Sequence, residues 1–186
     1  MMAIISPAKN MKRDTDQQQK QVSGFELTTP SALSKTEYLW NYLKKYSPWE
    51  LESLLKVNEQ LAVQAFMDFQ DFSPEKMAQA ALLSYDGLVF KNIEAYKFTE
   101  EELRFANSHL RILSAFYGVL QPMDHIMPYR LEMQSKLKVD GSNLYKFWHD
   151  ELYRQLYRED EVIINLASEE YAKSVRKHLK EFDKFI

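Results

Sequence analysis

The stretch Ala3-Ile4-Ile5-Ser6-Pro7-Ala8-Lys9 decides the fold of this chain. An apolar run ends at Ser6 and Pro7, which is the pattern of a short buried strand followed by a turn. Val162–Leu166 repeats this pattern, and Ser168 stands where a helix is expected to begin. Strand-like runs alternate with helical patterns between the two. The sequence therefore predicts an α/β fold, a single compact unit over residues 1–186 with a mixed, partly parallel sheet flanked by helices.

Helix start signals and further apolar runs place the other elements. Capping boxes are predicted at Ser34–Glu37, Ser47–Glu50 and Thr99–Glu102, and Asn58 is expected to cap another helix. The remaining predicted elements are a turn of helix from Ser73-Pro74, an apolar run over Ala80–Tyr85, buried strands over Leu110–Tyr117 and Tyr129–Met133, and one helix from Ser142 or Asn143 through Leu156.

Composition excludes several classes of protein. The chain has 186 residues, 45% of them hydrophobic, and a net charge of −3. There are no cysteines, which excludes disulfides and thiol catalysis. No apolar run is long enough for a membrane helix or a signal peptide, so we expect a cytoplasmic protein without a membrane partner. The four histidines are scattered and the four glycines form no phosphate-binding loop, so we expect neither a metal nor a cofactor.

Two segments are unusual. Asn10–Phe25 is polar and is expected to form a surface loop. Glu181–Ile186 has the pattern of a strand that has just begun, so we expect the chain to be truncated at its C-terminus.

Polar side chains follow two of the predicted strands. Ser6 and Lys9 come after the first, and Asn165, Ser168 and Lys173 come after Val162–Leu166. Ligands of open α/β sheets bind outside the carboxyl ends of the strands. If the two strands are parallel neighbours, their polar groups converge on a site suited to a phosphate, with Ser168 at a helix N-terminus. The alternative is that Ser168 only caps the helix and Lys9 is only solvated.

Four further residues are candidates for this site. Tyr117 and Arg130 follow or lie within the other strand-like runs, and Glu170 and Tyr171 lie in the first turn after Ser168. An Arg in an apolar setting has a partner, which is either a ligand or a carboxylate such as Glu132 or Glu170. Glu170 is a candidate general base if it faces the cleft.

Five motifs are spread over the chain, namely Ile5–Lys9, Leu110–Leu120, Pro128–Met133, Leu144–Trp148 and Asn165–Val175. Their residues and their order resemble the YaaA family of bacterial peroxide-stress proteins. The resemblance covers essentially the whole chain.

The resemblance implies a cytoplasmic bacterial stress-response protein that protects against hydrogen peroxide, limits free intracellular iron and binds DNA. It also implies a compact α/β unit with a basic cleft and a helix-hairpin-helix-like element, which corresponds to about residues 48–69. Relatives continue beyond Ile186, and they carry a Lys, an Asn and an Arg at the positions of Gln60, Ala65 and Asp68. Neutral and acidic side chains there remove phosphate contacts, so we do not expect this element to bind DNA on its own.

Three functions remain open from the sequence. In the first, the protein binds DNA, with Lys9, Arg130 and Lys173 on phosphates and with Tyr117 or Tyr171 stacked on an exposed base.

In the second, the protein is an enzyme that acts on a nucleotide or nucleobase. Ser6, Asn165 and Ser168 would hold the ligand, and Glu170 or Tyr171 would act as acid or base. In the third, the Asn10–Phe25 loop and the helices form a surface for a protein partner.

Overall fold

The computed structural model describes residues 1–13, 25–157 and 162–186. The α-helices are α1 (Leu33–Leu43), α2 (Pro48–Leu55), α3 (Glu59–Asp71), α4 (Ala81–Ser84), α5 (Leu88–Ile93), α6 (Glu100–His109), α7 (Leu144–Trp148), α8 (Glu151–Leu156) and α9 (Glu169–Arg176). The strands are β1 (Met2–Ile5), β2 (Asn10–Met11), β3 (Gln79–Ala80), β4 (Tyr85–Asp86), β5 (Leu110–Ser114), β6 (Gly118–Leu120), β7 (His125–Ile126), β8 (Val162–Asn165) and β9 (Lys184–Phe185).

The main sheet has five strands in the order β6-β5-β1-β8-β9. All neighbours are parallel except β5 and β6, which form an antiparallel pair. The predicted α/β fold with a mixed, partly parallel sheet is therefore confirmed. The central strand β1 is the apolar run that precedes Ser6, and Ile4, Ile112 and Ile163 are fully buried on the three middle strands.

Two short antiparallel pairs complete the strand pairing. β2 pairs with β4, and β3 pairs with β7. A Cβ on Gly87 would lie 2.7 Å from the Cβ of Ala8, so only glycine allows β4 and α5 to approach the segment after β1 this closely. This contact fixes the course of the segment that carries Lys9.

Three predicted helix starts are confirmed. Ser47 and Thr99 form capping boxes with Glu50 and Glu102, and the Asn58 side chain accepts a hydrogen bond from the backbone N–H of Leu61. Helices α2 and α3 pack against each other over the region predicted as a hairpin.

Other helix predictions are wrong. Helix α1 begins at Leu33, so Ser34 lies inside it and caps nothing. The single helix expected through Leu156 is two helices, because His149 takes a backbone φ of +47° between them. The apolar run Ala80–Tyr85, for which no element type was predicted, is mostly the short helix α4.

Two further predictions concern loops. Tyr129–Met133 is not a strand, because its hydrogen bonds go to side chains and turns instead of a neighbouring strand. Of the predicted loop Asn10–Phe25, residues 14–24 lie outside the described residues, and its first two residues form β2.

Candidate functional site

The two strand-end motifs meet, as predicted. β1 and β8 are parallel neighbours with Ile4 opposite Asn165, so Ser6 and Ser168 lie at the same edge of the sheet. The Ser6 hydroxyl donates to Ser168 Oγ at 3.0 Å and accepts from the Ser168 N–H at 2.8 Å. These two serines therefore join the strand ends to each other.

Ser168 does not cap α9 with its side chain. It occupies the N-cap position, but its hydroxyl makes no capping hydrogen bond, because Ser6 binds both its N–H and its Oγ. Glu169 and Glu170 stand in the first turn of the helix. These carboxylates already complement the positive end of the helix, which lowers its attraction for a further anion.

Lys9 and Arg130 lie close together beside this junction. Lys9 Nζ is 3.2 Å from Glu132 Oε1, and 66% of the Lys9 side chain is exposed. Arg130 donates to the backbone carbonyl of Lys9 at 3.2 Å and to Asn10 Oδ1 at 3.4 Å. Among the described residues, Arg130 makes no ion pair with Glu132 or Glu170, the two carboxylates named as alternatives to a ligand. Its buried Nε has no hydrogen-bond partner there.

Asn165 and Glu170 have structural contacts. Asn165 Oδ1 accepts from the N–H of Ala167 at 3.1 Å and closes the turn between β8 and α9. Glu170 Oε1 accepts from the N–H of Gln134 at 3.0 Å, and the Glu170 carbonyl accepts from the Tyr145 hydroxyl at 2.9 Å. The carboxylate of Glu170 therefore holds the 134 segment in place instead of standing free as a base.

Tyr117 and Tyr171 are buried, which contradicts their expected role in stacking on an exposed base. Tyr117 is 0% exposed and Tyr171 is 5% exposed. The Tyr117 hydroxyl donates to the carbonyl of Met127 and accepts from the N–H of the same residue. Burial raises the pKa of both tyrosines, so both stay protonated at neutral pH.

Lys173 forms part of a second cationic group. Lys173 and Lys177 both lie over the ring of Tyr145, at 5.6 and 5.8 Å from its centroid. Partial burial and the neighbouring charge of Lys173 lower the pKa of Lys177. Two exposed ammonium groups therefore lie on one face of α9.

A cleft of about 330 Å³ opens between the segment after β1 and helix α3. We call it the strand-end cleft. Its polar lining residues are Lys9, Asn10, Arg13, Gln60, Gln64, Asp68 and Arg130. Among the described residues that line it, three cations and one carboxylate are present. Ser6 and Ser168 are not among the lining residues, so the serine junction lies outside the cleft.

Tyr129 supports the wall of the strand-end cleft through a buried hydroxyl network. Its hydroxyl bonds to the Tyr85 hydroxyl at 2.9 Å and to Ser114 Oγ at 2.7 Å. Ser114 Oγ also accepts from the backbone N–H groups of Phe116 and Tyr117. Burial raises the pKa of Tyr129 to about 12. The network anchors the backbone next to Arg130.

Arg13, Gln64 and Asp68 belong to the cleft although no sequence pattern predicted this role for them. The Arg13 guanidinium contacts both carboxylate oxygens of Asp68, one of them at 2.9 Å, and Gln64 Nε2 donates to Asp68 Oδ1 at 3.3 Å. One feature of the sequence could have indicated that Asp68 is buried and paired. Asp68 lies on the same face of the predicted helix as the half-buried Leu61 and the buried Ala65.

A larger apolar groove of about 870 Å³ lies between α6 and the strands β1 and β8. Phe105, Leu110 and Ile164 line it, and none of the predicted site residues does. Within the described ranges, no group of three or more His, Asp or Glu residues is placed to hold a metal ion. No helix in the described part of the chain is long and apolar enough to span a membrane.

Comparison with known proteins assigns the family. The family model described as peroxide stress protein YaaA matches residues 1–186. A UPF0246 protein of Agathobacter rectalis is 41% identical to this chain over an alignment of 187 residues. The alignment covers 100% of this chain and 73% of the relative. UPF0246 proteins of Clostridioides difficile and Ligilactobacillus salivarius are 39% and 40% identical, again over 100% of this chain and 73% of each relative. The chain therefore belongs to the YaaA family of peroxide stress proteins.

Proposed function

We propose that this protein protects against peroxide damage by binding DNA, with the phosphate backbone in the strand-end cleft. The observation that carries the proposal is the convergence of Lys9 and Arg130 at the carboxyl end of β1, facing helix α3. Among the described residues, exposed Lys9 pairs with Glu132 and half-buried Arg130 pairs with no carboxylate, so both keep N–H donors for a ligand. Lys and Arg side chains with such donors form the phosphate contacts of DNA-binding proteins. Lys173 and Lys177, which lie together over the Tyr145 ring, are further candidates for phosphate contacts outside the cleft.

Protection of DNA and control of iron are chemically linked, because ferrous iron converts hydrogen peroxide into radicals that cleave DNA. The limit on free iron implied by the family resemblance belongs to the same proposed role. The proposal predicts fewer peroxide-induced strand breaks in cells that contain the protein, measured against cells that lack its gene.

The test is the salt dependence of DNA binding. We expect the affinity for a short labelled duplex, measured by fluorescence anisotropy, to fall steeply between about 50 and 200 mM salt. Lys9→Gln and Arg130→Gln should each reduce the slope of log K against log salt by about 0.9, the value for one phosphate contact.

The matched control is Lys97→Gln. Lys97 is 59% exposed and paired with Glu94, much as Lys9 is paired with Glu132, but it does not line the cleft. Its slope should equal that of the wild type. A shallow slope in the wild type, or equal losses in all three variants, would contradict binding at the strand-end cleft.

The second candidate function is that of an enzyme that acts on a nucleotide or nucleobase. The volume of the strand-end cleft, about 330 Å³, favours it, because small-molecule sites have volumes from about 300 Å³ upward. The residues expected to carry its chemistry are otherwise engaged, because Ser6 and Ser168 bind each other and Tyr171 is buried. A thermal-shift screen of nucleotides tests this candidate, and the absence of any stabilisation would count against it.

A further inference from the structure

The only acidic side chain among the described residues that line the strand-end cleft is Asp68. Helix α3 presents Gln60, Gln64 and Asp68 at intervals of four residues, so all three lie on the face that borders the cleft. Asp68 is 9% exposed, and its carboxylate is held by Arg13 and Gln64.

The Arg13–Asp68 pair has the geometry that an Arg–phosphate pair would have. A guanidinium binds carboxylate and phosphate with the same two parallel N–H donors. Asp68 therefore occupies the position in which two phosphate oxygens would contact Arg13. The Arg13 side chain is 44% exposed, so a phosphate that enters the cleft can reach the guanidinium without unfolding the protein.

We propose that Asp68 is an internal competitor for Arg13 and thereby limits the affinity of the strand-end cleft for the phosphates of DNA. This inference rests on the proposed function. While Asp68 holds Arg13, the cleft offers Lys9 and Arg130 to the backbone. Without the carboxylate, Arg13 becomes an additional contact.

Asp68→Asn tests the inference with little change in shape, since the amide oxygen can still accept a hydrogen bond from Gln64 or Arg13. One added phosphate contact makes the slope of log K against log salt steeper by about 0.9. The affinity of the variant relative to the wild type should therefore rise roughly eightfold when the salt is lowered from about 1 M to about 0.1 M. Thermal unfolding of the variant establishes that it is folded.

Asp71→Asn is the matched control. Asp71 lies one turn further along α3, pairs with Lys76 and does not line the strand-end cleft. Its substitution changes the net charge by the same amount, but we expect the slope to stay at the wild-type value. The double variant Arg13→Gln with Asp68→Asn should also return to the wild-type slope, because the released cation is then missing.

The single variant Arg13→Gln tests the inference even if the Asp68→Asn variant does not fold. If Asp68 keeps Arg13 away from DNA, this variant loses no phosphate contact, so its slope should fall by clearly less than the value of about 0.9 for one contact. A slope shallower by about 0.9 would show that Arg13 already contacts DNA, and it would overturn the inference.

The outcomes separate the inference from the function on which it rests. If the wild-type protein shows no salt-dependent binding to DNA, the proposed function fails. If the wild type binds but Asp68→Asn has the wild-type slope, or if Asp71→Asn tightens binding equally, the proposed function stands and the role of Asp68 is refuted.

Discussion

Replacing Tyr129 with Phe removes one hydroxyl from the buried network beside the strand-end cleft. That hydroxyl links Tyr85, which is 1% exposed, to Ser114, which is 0% exposed. The ring itself can stay in place, because Phe has the same shape without the oxygen. The perturbation therefore isolates the hydrogen bonds from the packing.

The expected loss in the free energy of unfolding depends on which hydrogen-bond partners of Tyr129 are left unsatisfied. Ser114 Oγ keeps the two hydrogen bonds that it accepts from Phe116 and Tyr117. The Tyr85 hydroxyl has no other hydrogen bond within the described ranges, so it becomes a buried unsatisfied group, at a cost of about 1–3 kcal/mol. For a chain of this length, a loss of about 2 kcal/mol lowers the Tm by about 4–8 °C.

The assay is urea unfolding of a four-member cycle at neutral pH, comprising the wild type, Tyr85→Phe, Tyr129→Phe and the double variant. Tyr85→Phe should cost about 1 kcal/mol, because Tyr129 retains Ser114 as a partner. The double variant should lose clearly less than the sum of the two single losses, since it no longer contains the unsatisfied Tyr85 hydroxyl. Strictly additive losses, or a loss below about 0.5 kcal/mol for Tyr129→Phe, would refute this account of the network.

The same network predicts a response to alkaline pH. The pKa of Tyr129 in the folded state, about 12, lies above its value of 10.0 in the absence of the fold. The unfolded chain therefore releases this proton first, and stability is retained below about pH 10 and lost as the pH rises toward 12. Tyr129→Phe should show a smaller loss over this window in pH-dependent urea unfolding.

Four further substitutions test the fold around the site. Gly118→Ala should cost about 1–3 kcal/mol in urea unfolding, because Gly118 has a φ of +82° and a Cβ there would lie 3.0 Å from the Trp148 ring. Gly141→Ala, with a φ of +74° and nothing within 4 Å, should cost less. Burial raises the pKa of Asp124, so the contribution of this carboxyl to stability falls as the pH rises from about 4 through its folded-state pKa, and Asp124→Asn should remove that contribution in pH-dependent urea unfolding. Thr99→Ala deletes a capping box and should lower the free energy of unfolding by about 1 kcal/mol.

The meeting of the strand ends could be predicted because it depends on local patterns. An apolar run followed by a polar turn marks the end of a buried strand, and parallel pairing brings such ends to one edge. Ser6 and Ser168 followed from this rule alone. The helix starts at Ser47 and Thr99 were predictable for the same reason, since each capping box lies within four residues of sequence.

The composition of the cleft could not be predicted in this way. Arg13 and Asp68 are 55 positions apart, and no periodic pattern relates them. The burial of Tyr117 and Tyr171 was missed because an amphipathic ring is equally compatible with a core and with a surface. Only the tertiary structure shows that both rings are buried and that the Tyr117 hydroxyl has its partners inside the protein.

The position of β1 at the centre of the sheet has a consequence for biosynthesis. β1 pairs only with β5 and β8, which begin at Leu110 and Val162, so both partners are translated long after it. At about 5–20 residues per second, the ribosome needs about 5–20 s to pass from Ala3 to Leu110. During that time an apolar strand has two unpaired edges. Nascent chains arrested before Leu110 should therefore bind chaperones that recognise apolar segments, and they should release them once β5 and β8 have emerged.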